Sequence, residues 1–135
     1  MAIFDNLGNY RNFGLLIIRV GLGAMFIFHG LPKLQGGPEM WNGIGMSMQN
    51  IGIKFLPTVW GFLAAATETF GGALLILGLA FRPACILLTF NMIIAALFHF
   101  GKGDGWMGAA HAVESAIVFA GLIFVGPGKY SVDKK

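Results

Sequence analysis

The sequence predicts an all-α membrane protein, a bundle of four transmembrane helices with an additional interfacial or re-entrant helix after the first span. Three observations predict it. The chain has 135 residues, of which 56% are apolar and only 11% charged, against roughly a quarter charged in a soluble domain of ordinary composition. Its mean hydropathy is +0.75. Four stretches, at about residues 13–31, 59–79, 83–100 and 107–125, come close to the roughly 20 residues needed to cross a hydrocarbon core of about 30 Å. They leave no length for a soluble domain, so the whole chain, 1–135, reads as one integral-membrane domain in a lipid bilayer.

The first ten residues are a polar lead-in. The apolar run from Phe13 contains Arg19 and ends at "LPKL" without a small-residue cleavage site, so no cleavable leader is expected. "GGPEM" is then a turn followed by a helix start. Beyond it Trp41, Ile44, Met48, Ile51 and Phe55 recur at alternating intervals of three and four, one apolar stripe on a helix too short and polar to span. Such a helix either covers loop backbone or gates a site. Pro57 and Pro83 mark the starts of the second and third spans. "GKGDG" is the tight turn before the fourth, and "GPGKYSVDKK" stops that span and anchors it with charge. Rows of small residues, such as Gly108, Ala112, Ala116 and Ala120, allow helices to approach closely, within one bundle or between copies in a homo-oligomer.

An even number of spans puts both termini on one side. That side carries Arg11, Arg82, Lys129, Lys134 and Lys135, and the other Lys33, Lys54 and Lys102. The excess favours cytoplasmic termini. The net charge of +3 is too small to suggest nucleic acid. Cys85 has no second thiol to pair with, which excludes an intrachain disulfide and a dithiol redox motif.

Function is carried by the polar groups inside the spans: Arg19 and His29 on the first, Glu68 on the second, Asn91 and His99 on the third, His111 and Glu114 on the fourth. A charge near the bilayer centre costs about 2.5–3.5 kcal/mol by insertion scales, and every span bears that cost. At about 1.5 Å per residue, measured from each span's own midpoint, Arg19, Glu68, Asn91 and Glu114 form a midplane layer. His29, His99 and His111 form a second layer, about 7–11 Å away toward the side opposite the termini. Around their helices His111 and Glu114 are about 60° apart, and Asn91 and His99, like Arg19 and His29, about 80°. Each pair fits one inward arc, so both layers are expected in the bundle interior.

Charge counting sharpens this expectation. Arg19 can neutralise only one of Glu68 and Glu114. The other is then protonated, paired with a histidinium or balanced by a metal ion. A site that exchanges protons beside an apolar cavity suits quinone chemistry, with Glu68, Glu114 and Arg19 as the catalytic set and His29, His99, His111 and Asn91 binding the quinone. A mononuclear metal held by His111, Glu114, His99 and Glu68 is the alternative. Dimetal bundles use four carboxylates and two Glu-x-x-His motifs, whereas the spans of this chain hold two carboxylates and the opposite order, His-x-x-Glu, at His111 and Glu114. Other readings stay open: an Arg19–carboxylate ion pair that only fixes register, a proton-coupled transporter or channel, or a scaffold for a soluble enzyme. No flavin or nicotinamide motif is present, so electrons would come from a soluble or membrane partner protein.

The stretches "RVGLGAMFIFHGLPKL", "GGPEMWNGIGMSMQNIGI", "ATETFGGALLILGLAFRPA" and "GPGKYSVD" occur in this order along nearly the whole chain. In them the chain resembles the DoxX family of small four-span membrane proteins of bacteria and archaea. The resemblance implies a membrane subunit of a quinone-linked oxidoreductase in the cytoplasmic membrane. It puts Arg19, His29, Gly30, Lys33, Glu68, Gly71, Gly72, Arg82 and Glu114 at motif positions. His99 and His111 fall outside the matched stretches.

Overall fold

The structure, a computed structural model, describes residues 3–134. A 3-10 turn, Asp5–Tyr10, leads into α1 (Arg11–Gln35). There follow α2 (Pro38–Gly45), a 3-10 segment (Met46–Ile51), α3 (Pro57–Leu77), α4 (Phe81–Gly101) and α5 (Gly105–Val125). Among the described residues there is no strand. The helices α1, α3, α4 and α5 are long and apolar enough to cross a membrane, as expected. The short helix expected after the first span is α2 with its 3-10 extension, except that it ends at Ile51 and leaves Phe55 of the expected stripe in a bend beyond it. Lys135, counted on the terminal side, lies outside the described residues.

The bundle is two tight pairs, α1 with α3 and α4 with α5. Glycine makes the first pair tight. A Cβ on Gly23 would stand 2.5 Å from the carbonyl oxygen of Gly72, and one on Gly72 would stand 2.6 Å from that of Gly23, so the two backbones touch where they cross. One turn pair further on, a Cβ on Gly30 would lie 2.7 Å from Cβ of Glu68. The middle of α3 therefore faces Gly30 and not Leu22, the middle of the first apolar run. That is a stagger of about eight residues, or about 12 Å.

The second pair is joined by the apolar core. Cys85, Leu88, Met92 and Ala96 of α4 pack with Ala112, Phe119 and Leu122 of α5, and Phe26 reaches in from α1. Cys85 is fully buried there, a small apolar residue. Between the pairs, α3 and α4 meet where Gly71 lies against Leu88. Toward the other end they separate, and α2 roofs the gap. It does so at very short range, since Gly45 and Gly61 lie directly on the backbones of Pro57 and Trp41.

At the terminal side the tail folds back under α3 and α4. The amides of Val132 and Asp133 donate to the carbonyls of Leu77 and Gly78. The Asp133 carboxylate accepts from the amides of Ala80 (3.1 Å) and Phe81 (2.8 Å), capping α4. Ala80 holds a left-handed φ of 47°, which costs a non-glycine residue about 1–2 kcal/mol. The Asp133 cap offsets that cost.

Candidate functional site

Arg19 is an interior charge, only 1% exposed, yet it meets neither carboxylate. Its Nε donates to Leu75 O at 2.9 Å, Nη2 to Ile76 O at 2.7 Å, and Nη1 to Tyr130 O at 2.8 Å and Pro127 O at 3.4 Å. Leu75 and Ile76 belong to the last turn of α3, whose carbonyls have no partner within the helix. A cation there also meets the negative end of the helix dipole. Arg19 therefore ties α1, the end of α3 and the tail together. The expectation that it would neutralise Glu68 or Glu114 is corrected by this geometry. The stagger of α1 against α3 is the reason, because it leaves Arg19 eleven residues, about 16 Å, below the level of Glu68.

The cation beside Glu68 is Lys33, one turn beyond Gly30. Its Nζ donates to Oε1 at 3.1 Å and to Oε2 at 3.3 Å. Glu68 is buried and the Lys33 side chain is 41% exposed, so the pair sits at the edge of the interior. Trp41 of α2 donates from Nε1 to the Lys33 carbonyl at 3.1 Å, fixing the roof to the end of α1.

The pair opens onto a cavity of about 470 Å³ between α3, α4 and the roof, a volume typical of small-molecule sites. Its walls are mainly apolar, with Ile44 and Met48 above and Leu63, Phe90 and Ile94 at the sides. Two of the other polar residues that line it each have an orphaned donor. Trp60 Nε1 on α3 and Asn91 Nδ2 on α4 are buried without a hydrogen-bond partner among the described residues. Native interiors leave few such groups, and each needs a reason. At the rim stands His99, whose Nδ1–H donates to Asp104 Oδ2 at 2.7 Å. That hydrogen bond holds the Asp104 carboxyl below its ordinary range. Desolvation opposes the shift, and nearby Lys102, with Nζ 3.5 Å from Oδ2, adds to it.

The remaining expected residues lie elsewhere. His29, His111 and Glu114 are exposed on the outer face of α1 and α5, so the expected interior wall of His111 and Glu114 is corrected to an exterior one. Their 60° separation does put them on one face, but hydropathy cannot say which face of a membrane helix is buried, because lipid and core are both apolar. The structure brings Glu68, Asn91 and His99 together and leaves Arg19, His29, His111 and Glu114 apart from them. Among the described residues no three His, Cys, Asp or Glu side chains cluster closely enough to hold a metal ion. Sequence reasoning missed the parts played by Lys33, Trp60 and Asp104. For Lys33 the available signal was Gly30, a residue small enough to let α3 come close one turn away.

A family model described as DoxX matches residues 14–101. The chain belongs to the DoxX family. It is 33% identical over 138 residues to an uncharacterized protein of Haemophilus influenzae, covering 97% of this chain and 96% of that one. It is 27% identical over 143 residues to the inner membrane protein YphA of Escherichia coli, covering 100% and 98%. With the putative oxidoreductase CatD of Bacillus subtilis it shares 34% identity over 84 residues, covering 62% of this chain and 58% of CatD. No solved structure matches the chain. Four apolar helices and membrane-protein relatives make it a multi-pass membrane protein.

Proposed function

We propose that this DoxX protein is the quinone-binding membrane subunit of an oxidoreductase, with the headgroup in the cavity under α2. One observation carries the reading. Trp60 Nε1 and Asn91 Nδ2 are two unanswered donors on two walls of an apolar cavity, and leaving a buried donor unmet costs about 1–3 kcal/mol. A ligand with two separate acceptors on a flat apolar body would meet both once each side chain turns its buried donor toward the cavity. A quinone has that shape, and when bound it supplies two-electron, two-proton chemistry.

The chain's own residues serve such a ligand in distinct ways. Leu63, Phe90 and Ile94 exclude water from the ring. Trp60 and Asn91 orient it. Lys33 places positive charge beside the cavity, and Glu68, held by Lys33 at 3.1 Å, can pass a proton at its carboxylate. His99, oriented by Asp104, can hold a proton at the rim between the cavity and the loop outside the membrane. The putative oxidoreductase CatD, a relative by sequence, is consistent with a redox role. The electron donor is a partner protein, and the termini face the cytoplasm.

Native mass spectrometry of the protein released from its membrane in mild detergent tests this. The expected result is a retained quinone on the wild type that is lost from the Trp60→Phe/Asn91→Leu double variant. A wild type that flies bare, or one that retains its quinone in the variant, would reject the reading.

A further inference from the structure

The outer face of α1 and α5 carries three ionisable side chains that the cavity does not use. The rings of His29 and His111 lie 5.5 Å apart. Behind them Phe26 stacks on His111 at 6.2 Å and meets Phe119 edge-on at 5.0 Å, which backs the His111 ring at the surface. Glu114 lies one turn along α5 from His111, exposed and without an ion-pair partner among the described residues. Met107, His111, Glu114, Val118, Gly121 and Val125 are all exposed and follow at intervals of three or four, so they form one uncovered stripe within a span. Hydrocarbon is a poor neighbour for a carboxylate, and intramembrane ionisable groups normally face protein or a water-filled cavity.

We propose that a second copy of the chain covers this face, in a parallel dimer where each Glu114 accepts from the imidazoles of the other copy. The patch is complementary to itself, as a twofold interface requires, because it contains both the acceptor and the donors. Depth agrees as well. Two copies inserted the same way up share a twofold along the membrane normal, so residues meet at their own level. Glu114 is three residues, about 4.5 Å, from the level of His111, with His29 beside it. Gly121 lies about 20° around α5 from Glu114, and nothing stands within 4 Å of where its Cβ would be. Two α5 helices can therefore approach closely there. The charge, the level and the small contact residue all fit a copy of this chain.

The test is made on the full chain in lipid bilayers. Subunit counting by photobleaching should give dimers, and a Val118→Cys variant should cross-link between copies. The native Cys85, 0% exposed, does not compete. His29→Ala/His111→Ala should raise the dimer dissociation constant about tenfold. It should also expose Glu114 to a hydrophobic carbodiimide from which the wild type is protected. Monomers in the bilayer would overturn the proposal. So would a dimer whose Val118→Cys variant does not cross-link, or rapid carbodiimide modification of wild-type Glu114, which would mean that lipid or a different protein covers the face. The cross-link and the wild-type protection do not depend on whether the histidine variant folds.

Discussion

The two ends of this bundle treat buried polar groups in opposite ways. At the terminal side Arg19 donates to backbone carbonyls of α3 and the tail, and Asp133 caps α4. At the other side the Lys33–Glu68 pair borders a cavity lined by Trp60 and Asn91, whose buried side-chain donors have no partner among the described residues. A charge whose partners are all backbone within its own chain is committed to the fold. Donors left open beside a cavity are available to something that arrives later. The same residue types thus have different meanings, and partner accounting separates them where burial alone does not.

That difference can be broken first at Arg19. Arg19→Met would leave the Ile76 carbonyl unanswered, leave Leu75 O with only the Gly78 amide, and take the side-chain donor from the tail carbonyls of Tyr130 and Pro127. The expected loss is roughly 3–5 kcal/mol, a few hydrogen bonds to a charged group. Arg19→Lys should rescue little of it, since one ammonium cannot reproduce the planar fork. Thermal or denaturant unfolding in detergent reads this directly, while ligand retained per folded molecule should not change. A variant that melts like the wild type would show that the Arg19 clasp is not formed.

Lys33 and Glu68 give the next largest effect. Lys33→Met strands the Glu68 carboxylate and should cost about 2 kcal/mol, less than a fully buried pair because Lys33 is 41% exposed. Adding Glu68→Leu should restore most of that stability, as matched apolar replacement of an ion pair usually does. The double variant should then fold and fail to support quinone-coupled turnover. Non-additivity in this cycle measures the pair itself. Simple addition of the two single losses would mean that the groups do not interact.

Why Lys33 and not Arg19 holds Glu68 shows what was legible in the sequence. The four spans, the short helix after the first and the stop of the fourth span at Gly126 were readable, because length, hydropathy and periodicity are properties of one segment at a time. Relations between segments were not. Depth measured from each apolar midpoint assumed that midpoints coincide, whereas the Gly23–Gly72 and Gly30–Glu68 contacts set a stagger. Arg19's real partners are main-chain carbonyls, which carry no sequence signal. His111 and Glu114 do share a face, but its direction depends on neighbours whose apolar side chains resemble lipid.

Trp60 and Asn91 should respond with the opposite sign to Arg19. In the ligand-free protein Trp60→Phe/Asn91→Leu removes two unsatisfied donors, so stability should stay level or rise by about 1 kcal/mol. Retained ligand should fall. Comparing melting temperatures of delipidated wild type and variant checks the first part. A clear loss of stability would mean that these donors have partners in the folded chain, and the contrast between the two ends of the bundle would fail.

The smallest effect belongs to the rim. Asp104 is bound by His99 at 2.7 Å, with both side chains about one third exposed, and that bond holds its carboxyl below the ordinary 3.8. A carboxyl depressed on folding contributes stability that is present above its unfolded value and is lost as pH falls through its lowered folded value. Wild type and Asp104→Asn should therefore differ slightly in melting temperature from neutral pH down to about 4 and converge in stronger acid. Most of the bundle should ignore the change, because the α4–α5 core lies below this turn. Convergence of the curves links the rim to the His99–Asp104 bond. Curves that coincide throughout would mean that His99 is oriented by something else, and that its place at the cavity mouth does not depend on the loop.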